Sequence, residues 1–331
     1  CRHMEMAMNS QALESHRARV GVIFPGQGSQ AVGMGGDVAA KYPAAADLFT
    51  RASKVLKYDL SALTQEGPDE KLRETRYSQP AIFVTNCALY AAAGELNPIV
   101  SAGHSFGELC SLTIAGALDF EDAVRLVHER ALAMQHAADR ASGAMAAVLG
   151  LEPQALRDIS ADVRKTGLGR VQLANFNAPG QIVISGDFEA VKHAGERAID
   201  AGAKRVIPLN VSGAWHSELM APAGEGFSPH VRTANFRLPK FTVISNVDAE
   251  PYRDVATIVD HVVRSVTDEV LWHDTAMRLL EERLDLVVEF GANAVLAPLV
   301  KRLPGAPRTL HVGDAAGIER LHAMLAHFAP A

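Results

Sequence analysis

The chain has 331 residues, 48% of them hydrophobic, with 32 Lys and Arg against 38 Asp and Glu for a formal charge of −6. That balance excludes a disordered chain, which combines low hydrophobicity with high charge density, and it argues against a nucleic-acid partner, which needs a clustered basic excess. No apolar run reaches the roughly 20 residues of a membrane helix, and the widely spaced Cys1, Cys87 and Cys110 form no C-x-x-C pair, so a disulfide framework or zinc knuckle is not legible and a reducing, cytoplasmic setting is expected.

Residues 1–18 are polar and carry His3-Met4, which reads as a disordered leader or tag. Order is expected to begin at Val20-Gly21-Val22-Ile23-Phe24, a short apolar strand followed by a glycine-rich turn and a mostly helical stretch from Gly36 to Leu56. A helix from Gln79 to Ala93, with Pro80 in its first turn, precedes a buried strand over Pro98 to Ala102. From Phe120 to Ala138 the apolar residues Phe120, Val124, Val127, Ala131 and Met134 recur at steps of three and four, which predicts a helix with one buried face.

After Ser142 the rhythm changes. A strand from Gly143 to Leu151, a helix from Pro153 to Val163, strands at Val171 to Asn175 and Ile182 to Ser185, a helix from Phe188 to Ala201 and a strand from Arg205 to Val211 give the order βαββαβ of a ferredoxin-like unit. Strand patterns resume at Thr242 to Ser245, Leu286 to Phe290 and Arg308 to Val312. The expected division is an α/β core of 19–140 and 213–331 interrupted by a ferredoxin-like subdomain at 141–212.

Two glycine clusters invite chemistry. Gly26-Gln27-Gly28-Ser29-Gln30-Ala31 fits the dinucleotide fingerprint, but that fingerprint requires a second strand ending in an acidic residue about 20 positions on. Helical sequence lies there instead, so the loop is read as a source of accessible backbone N–H groups. Gly103-His104-Ser105-Phe106-Gly107 is a G-x-S-x-G between a strand and an apolar helix, the setting in which a serine hydroxyl is exposed on a sharp turn; a tight turn with a capping serine is the simpler alternative.

A serine nucleophile needs a base, and among thirteen histidines those at 128, 136, 193, 261 and 273 read as surface residues. His216 lies instead in a loop of small residues just past the last strand of the inserted unit, beside Trp215, either as a base or as a packed neighbour of that ring. Arg130 borders the buried stripe of its helix. It is either a snorkelling cation or a fork for a carboxylate.

Together these residues resemble the malonyl-CoA:acyl carrier protein transacylases, the acyltransferases of fatty-acid and polyketide synthesis. The likeness runs from Val20 to Val312 and is carried by Phe24 to Gln30, Ser78-Gln79-Pro80, Gly103 to Glu108, Arg130 with Met134-Gln135, Asn175 to Gln181, Ser212 to His216 and Glu289-Phe290-Gly291. It implies a hydrolase-like α/β core with a parallel sheet and a ferredoxin-like insertion. Ser105 is then the nucleophile, His216 its base, and the N–H groups of Gln27 and Phe106 the oxyanion hole, with the Ser265 carbonyl orienting His216. Arg130 would clamp the malonyl carboxylate, Asn177 and Gln79 would join the substrate site, and Trp215 would crowd an α-branch.

Several positions depart from the family pattern without removing a catalytic atom: Phe106 replaces a common leucine, Ala131 a glycine, Trp215 a phenylalanine, and Gly291-Ala292-Asn293 a glycine-proline-glycine. The resemblance implies no bound metal or redox cofactor, a coenzyme A thioester as substrate, and an acidic, phosphopantetheinylated acyl carrier protein as partner. Lys301 and Arg302 are candidates for meeting that carrier. A monomer without a fused carrier or ketosynthase domain is expected. The alternatives are a proofreading acyl hydrolase of the same family and a non-catalytic carrier-binding scaffold.

Overall fold

In β1 (Val20–Phe24) every position is apolar or glycine and every residue is buried, as a strand covered by helices on both faces requires. The computed structural model describes residues 18–328; the expected leader, with Cys1, falls outside the described residues apart from Ala18. Four further strands, β2 (Val100–Gly103), β7 (Thr242–Ile244), β8 (Leu286–Phe290) and β9 (Arg308–Val312), join β1 in a wholly parallel sheet ordered β7-β2-β1-β8-β9.

The intervening strands β3 (Gly143–Leu149), β4 (Val171–Ala178), β5 (Gln181–Asp187) and β6 (Arg205–Pro208) form a separate antiparallel sheet ordered β4-β5-β3-β6. With helices Pro153–Lys165 and Phe188–Asp200 this is the split βαβ arrangement expected from the strand and helix rhythm. Among the described residues no helix is long and apolar enough to cross a membrane.

Local chemistry explains where the observed elements differ from the expected ones. The stretch from Gly36 to Leu56 is two helices, Gly36–Lys41 and Pro43–Leu56, because Tyr42 precedes a proline, is pushed out of the α region to φ −118°, and leaves Pro43 to start the next helix. The second expected helix starts four residues earlier, at Thr75–Ala92, so Pro80 lies inside it. Ser78 and Gln79 are fully buried there, and packing outweighs the missing donor. Helix Phe120–Ala138 has the expected bounds and buries Phe120, Val124, Val127, Arg130, Ala131 and Met134.

The sheet's carboxyl edge is where the chain turns most tightly. Between β2 and helix Gly107–Ile114 a Cβ on Gly103 would fall 2.0 Å from the Gly107 carbonyl, and one on Gly107 would fall 2.4 Å from Phe24 O. Neither neighbour is a flexible side chain, so the backbone itself would have to move. Gly103→Ala should therefore cost at least the 1–3 kcal/mol typical of overpacking, about, read as a lower urea midpoint at an unchanged m-value; an unaltered midpoint would mean that the turn is not this close.

Candidate active site

Ser105 sits in that turn with φ +54°, a left-handed conformation that costs a non-glycine residue about 1–3 kcal/mol unless its surroundings impose it. The strain lifts its hydroxyl away from the sheet into a cavity of about 390 Å³, lined also by Gln27, His104, Arg130, Trp215 and His216. Ser105 Oγ lies 2.8 Å from His216 Nε2. The sequence places these residues 111 positions apart; the fold brings them into hydrogen-bond contact.

His216 is buried and likewise holds a positive φ of 56°. Its Nδ1 is 3.0 Å from the Asp268 carbonyl oxygen. A carbonyl can only accept, so Nδ1 carries the proton and the neutral ring leaves Nε2 free to accept from Ser105. This corrects the expected brace: the hydrogen bond goes to Asp268 O, and the Ser265 carbonyl adds only a smaller favourable contribution. Ser265 ends helix Val255–Arg264, and three more residues of turn bring Asp268 under the imidazole. Burial first, then the charge of Arg130, lowers the His216 pKa to about 3.

Arg130 is 1% exposed. Its Nη2 donates to Ser105 Oγ at 3.3 Å, its Nη1 to Gln79 Oε1 at 2.8 Å, and its buried Nε has no partner. Burial pulls its pKa down to about 10, with the more distant Glu108 carboxylate opposing that shift, so the guanidinium stays charged at neutral pH. Among the described residues no carboxylate reaches ion-pair distance of it. The snorkelling alternative fails because the charged head, not only its stem, is inside the protein.

Other expected residues are placed differently. Gln79 is fully buried behind Arg130, with its Nε2 3.4 Å from Met134 Sδ; it holds the arginine rather than lining the cavity. Asn177 likewise does not line the cavity: its Oδ1 is 2.9 Å from His104 Nε2, and Asn175 lines the cavity instead. Bulges between Leu173 and Asn175 and between Phe176 and Ala178 interrupt the regular alternation of side chains along this strand. Trp215 does line the cavity, with its buried Nε1 unpartnered.

The β1 loop passes against the turn so closely that a Cβ on Gly26 would lie 2.7 Å from His104 O and 3.5 Å from Ser105 Cβ. Gln27 follows it into the cavity. Among the described residues the backbone N–H groups of Gln27 and of Phe106 have no acceptor, and the latter heads helix Gly107–Ile114, whose positive dipole end faces the same space. A hydroxyl bonded to a neutral imidazole and flanked by free N–H donors is equipped to attack an acyl carbon and stabilise the resulting oxyanion. No group of three or more His, Cys, Asp or Glu is placed to hold a metal ion among the described residues.

Sequence reasoning missed Asp268, His104 and Asn246, whose Oδ1 accepts from Ser105 N at 2.8 Å. It also took His261 for a surface residue, whereas that ring is buried with Nδ1 2.9 Å from Ser245 Oγ. Asp268, Asn246 and His261 carry no pattern in the chain, since each acts through a contact distant in sequence. His104 alone was signalled, by its place in the G-x-S-x-G.

A serine–imidazole pair at the carboxyl edge of a parallel sheet, with a split βαβ sheet alongside, defines a hydrolase-like α/β fold. Residues 22–308 match the acyl transferase domain family, and the chain belongs to that family and is an acyltransferase. It is 40% identical to the malonyl CoA-acyl carrier protein transacylase of Bacillus subtilis (strain 168) over 91% of this chain and 96% of the relative. A crystal structure of an acyl carrier protein S-malonyltransferase from Vibrio cholerae is similar at TM-score 0.87 and 38% identity, over 92% of this chain and all of that one. A malonyl-transacylase solved in complex with its type II polyketide-synthase acyl-carrier protein is similar at TM-score 0.87 and 37% identity, over 91% and 98%.

Two pKa shifts give opposite pH dependences. For His216, lowered from 6.5 to about 3, the stability contribution is present above pH 6.5 and is lost as pH falls toward 3. For Glu108, raised by burial from 4.5 to about 7, it is present below pH 4.5 and is lost as pH rises through 7. Between these limits the two oppose, so reactivity is the better reporter of His216. The rate at which Ser105 reacts with a fluorophosphonate probe should hold within about threefold from pH 7 to pH 5, where an ordinary histidine would cost more than about tenfold. A fall centred near pH 6.5 would contradict a ring kept neutral by burial.

Proposed function

We propose that the protein transfers a malonyl group from malonyl-CoA to the phosphopantetheine thiol of an acyl carrier protein, through an ester on Ser105. Ser105 Oγ attacks the thioester carbonyl while His216 Nε2 takes its proton, and the N–H groups of Gln27 and Phe106 receive the oxyanion. Collapse breaks the C–S bond, and the imidazolium returns the proton to the departing coenzyme A sulfur. In the second half the carrier's thiol gives its proton to His216, attacks the ester, and regenerates the serine.

The observation that carries the malonyl assignment is Arg130, a buried guanidinium within 3.3 Å of Ser105 Oγ and without a contacting anion. Burying an unpaired charge costs several kcal/mol, about, and a carboxylate two bonds from the reacting carbonyl is the group that would offset it. A proofreading hydrolase of uncharged acyl chains would bear that cost for no gain. A carrier-binding scaffold would have no use for the Ser105–His216 contact or the free N–H donors. Relatives that carry malonyl and acyl carrier protein in their names support the same substrate and partner.

With radiolabelled malonyl-CoA, the wild type should form a covalent adduct that Ser105→Ala lacks, and His216→Ala should form it about 10²- to 10⁴-fold more slowly. An adduct that survives the serine substitution would remove the assignment. Arg130→Ala should lose malonyl transfer and gain activity with acetyl-CoA relative to malonyl-CoA, because acetyl has no carboxylate to leave unpaired.

Trp215 adds a steric test. Its indole lines the cavity, so malonyl-CoA should be preferred to methylmalonyl-CoA by roughly 10- to 200-fold, the range a methyl group commands in a tight pocket. Competition assays on the ratio of kcat/KM values decide this, and a methylmalonyl preference would overturn the role of Trp215.

A further inference from the structure

We propose that Asn246 and Glu108 are positioning residues that hold Ser105 in its reactive conformation and tie it to the segment that orients His216. The inference takes from the proposed function that Ser105 is the acylated residue.

Strand β7 pairs with β2 only as far as Ile244 opposite Ala102. Beyond it the backbones part, since Ser245 N–H donates to Glu250 O at 3.0 Å. Gly103 O and Ser105 N–H would be left without the partner a continuing ladder supplies. The Asn246 side chain fills both places: its Oδ1 accepts from Ser105 N at 2.8 Å, and its Nδ2 donates to Gly103 O. A carboxamide can do this because it offers an acceptor and a donor side by side, as a peptide group does. An aspartate would set one oxygen against the Gly103 carbonyl.

The backbone of Asn246 is equally committed. Its N–H donates to Glu108 Oε2 at 2.8 Å, and its carbonyl accepts from Leu271 N at 2.9 Å. Glu108 lies in the first turn of the helix after Ser105, and its own N–H donates to Ser105 O at 3.1 Å. Ser105, Asn246 and Glu108 thus close a ring of hydrogen bonds that grips Ser105 at both its N–H and its C=O. Tyr252 Oη donates to the other Glu108 oxygen, fixing the carboxyl group. The side chains of Asn246, Glu108 and Tyr252 are all buried.

A second circuit runs through the base. Leu271, bonded to Asn246, is three residues from Asp268, whose carbonyl accepts from His216 Nδ1–H, and His216 Nε2 accepts from Ser105 Oγ. Hydroxyl and imidazole are therefore positioned against one common frame. Loss of the Asn246 amide would free Ser105 to leave φ +54°, turning Oγ from His216 and the Phe106 N–H from the oxyanion position, while Arg130 on its separate helix stays in place.

Rapid-quench single-turnover acylation of the full chain by radiolabelled malonyl-CoA tests this, reading burst rate, burst amplitude and KM separately. Asn246→Ala and Asn246→Asp should slow the burst about 10- to 100-fold with the amplitude near one per chain and KM within about threefold. Asn246→Asp carries the test alone if the alanine variant does not fold. Glu108→Ala should slow the burst as well, and Glu108→Gln, which can still accept from Asn246 N–H, should recover most of the rate. A merely structural role would lower the amplitude and leave the rate per competent site unchanged, and that result would overturn the proposal, as would a wild-type rate in Asn246→Asp. A wild type that never acylates at Ser105 would overturn the parent reading, and this one with it.

Discussion

A serine held at φ +54° between a parallel strand and a helix is a conformation the chain would leave if it could, and the surrounding structure is arranged so that it cannot. Gly103 and Gly107 let strand, helix and the end of β1 approach to distances no Cβ would allow. Gly26 lets the neighbouring loop lie against the same turn. Sheet packing thus supplies the force that keeps the hydroxyl exposed, and the stability of the parallel core is coupled directly to the geometry of the site.

Charge is treated in a similar way. Arg130 arises from a helix whose other inward residues are apolar, and its head lines the cavity, meeting one amide, one hydroxyl and the face of the Phe106 ring but no carboxylate. The nearest acidic influence is Glu108, itself buried with its oxygens taken by Asn246 and Tyr252. The free protein therefore bears an electrostatic imbalance that an anionic acyl group would relieve. The same positive charge helps keep the adjacent His216 imidazole neutral, the form in which it can accept a proton.

The antiparallel sheet contributes to the site as well as covering it. Ala174 O and Phe176 N of β4 bond to Val270 N and O at 2.8 and 2.9 Å, and Gln172 donates to His216 O at 3.4 Å. The segment that braces the imidazole is thereby held between the two sheets.

By itself the sequence determined the elements and the residue types of the chemistry. Periods of two and 3.6 are local properties, which is why the βαββαβ order, the helix Phe120–Ala138 and the strand-to-helix turn at Ser105 were legible from neighbouring residues alone. Likeness to a family then joined Ser105, His216 and Arg130. Which atoms meet was decided only by the tertiary structure. A carbonyl carries no side-chain signature, so Ser265 and Asp268 are indistinguishable until the turn after Arg264 is built. Asn177, which the family likeness placed in the pocket, bonds His104 instead, and Asn175 lines the cavity, on a strand whose two bulges are invisible in the residue pattern. Burial made Gln79 a support for Arg130, and the divergence of two strands gave Asn246 its four bonds. Each of these depends on where backbones distant in sequence stop running side by side, and that is a property of packing, not of any local stretch of chain.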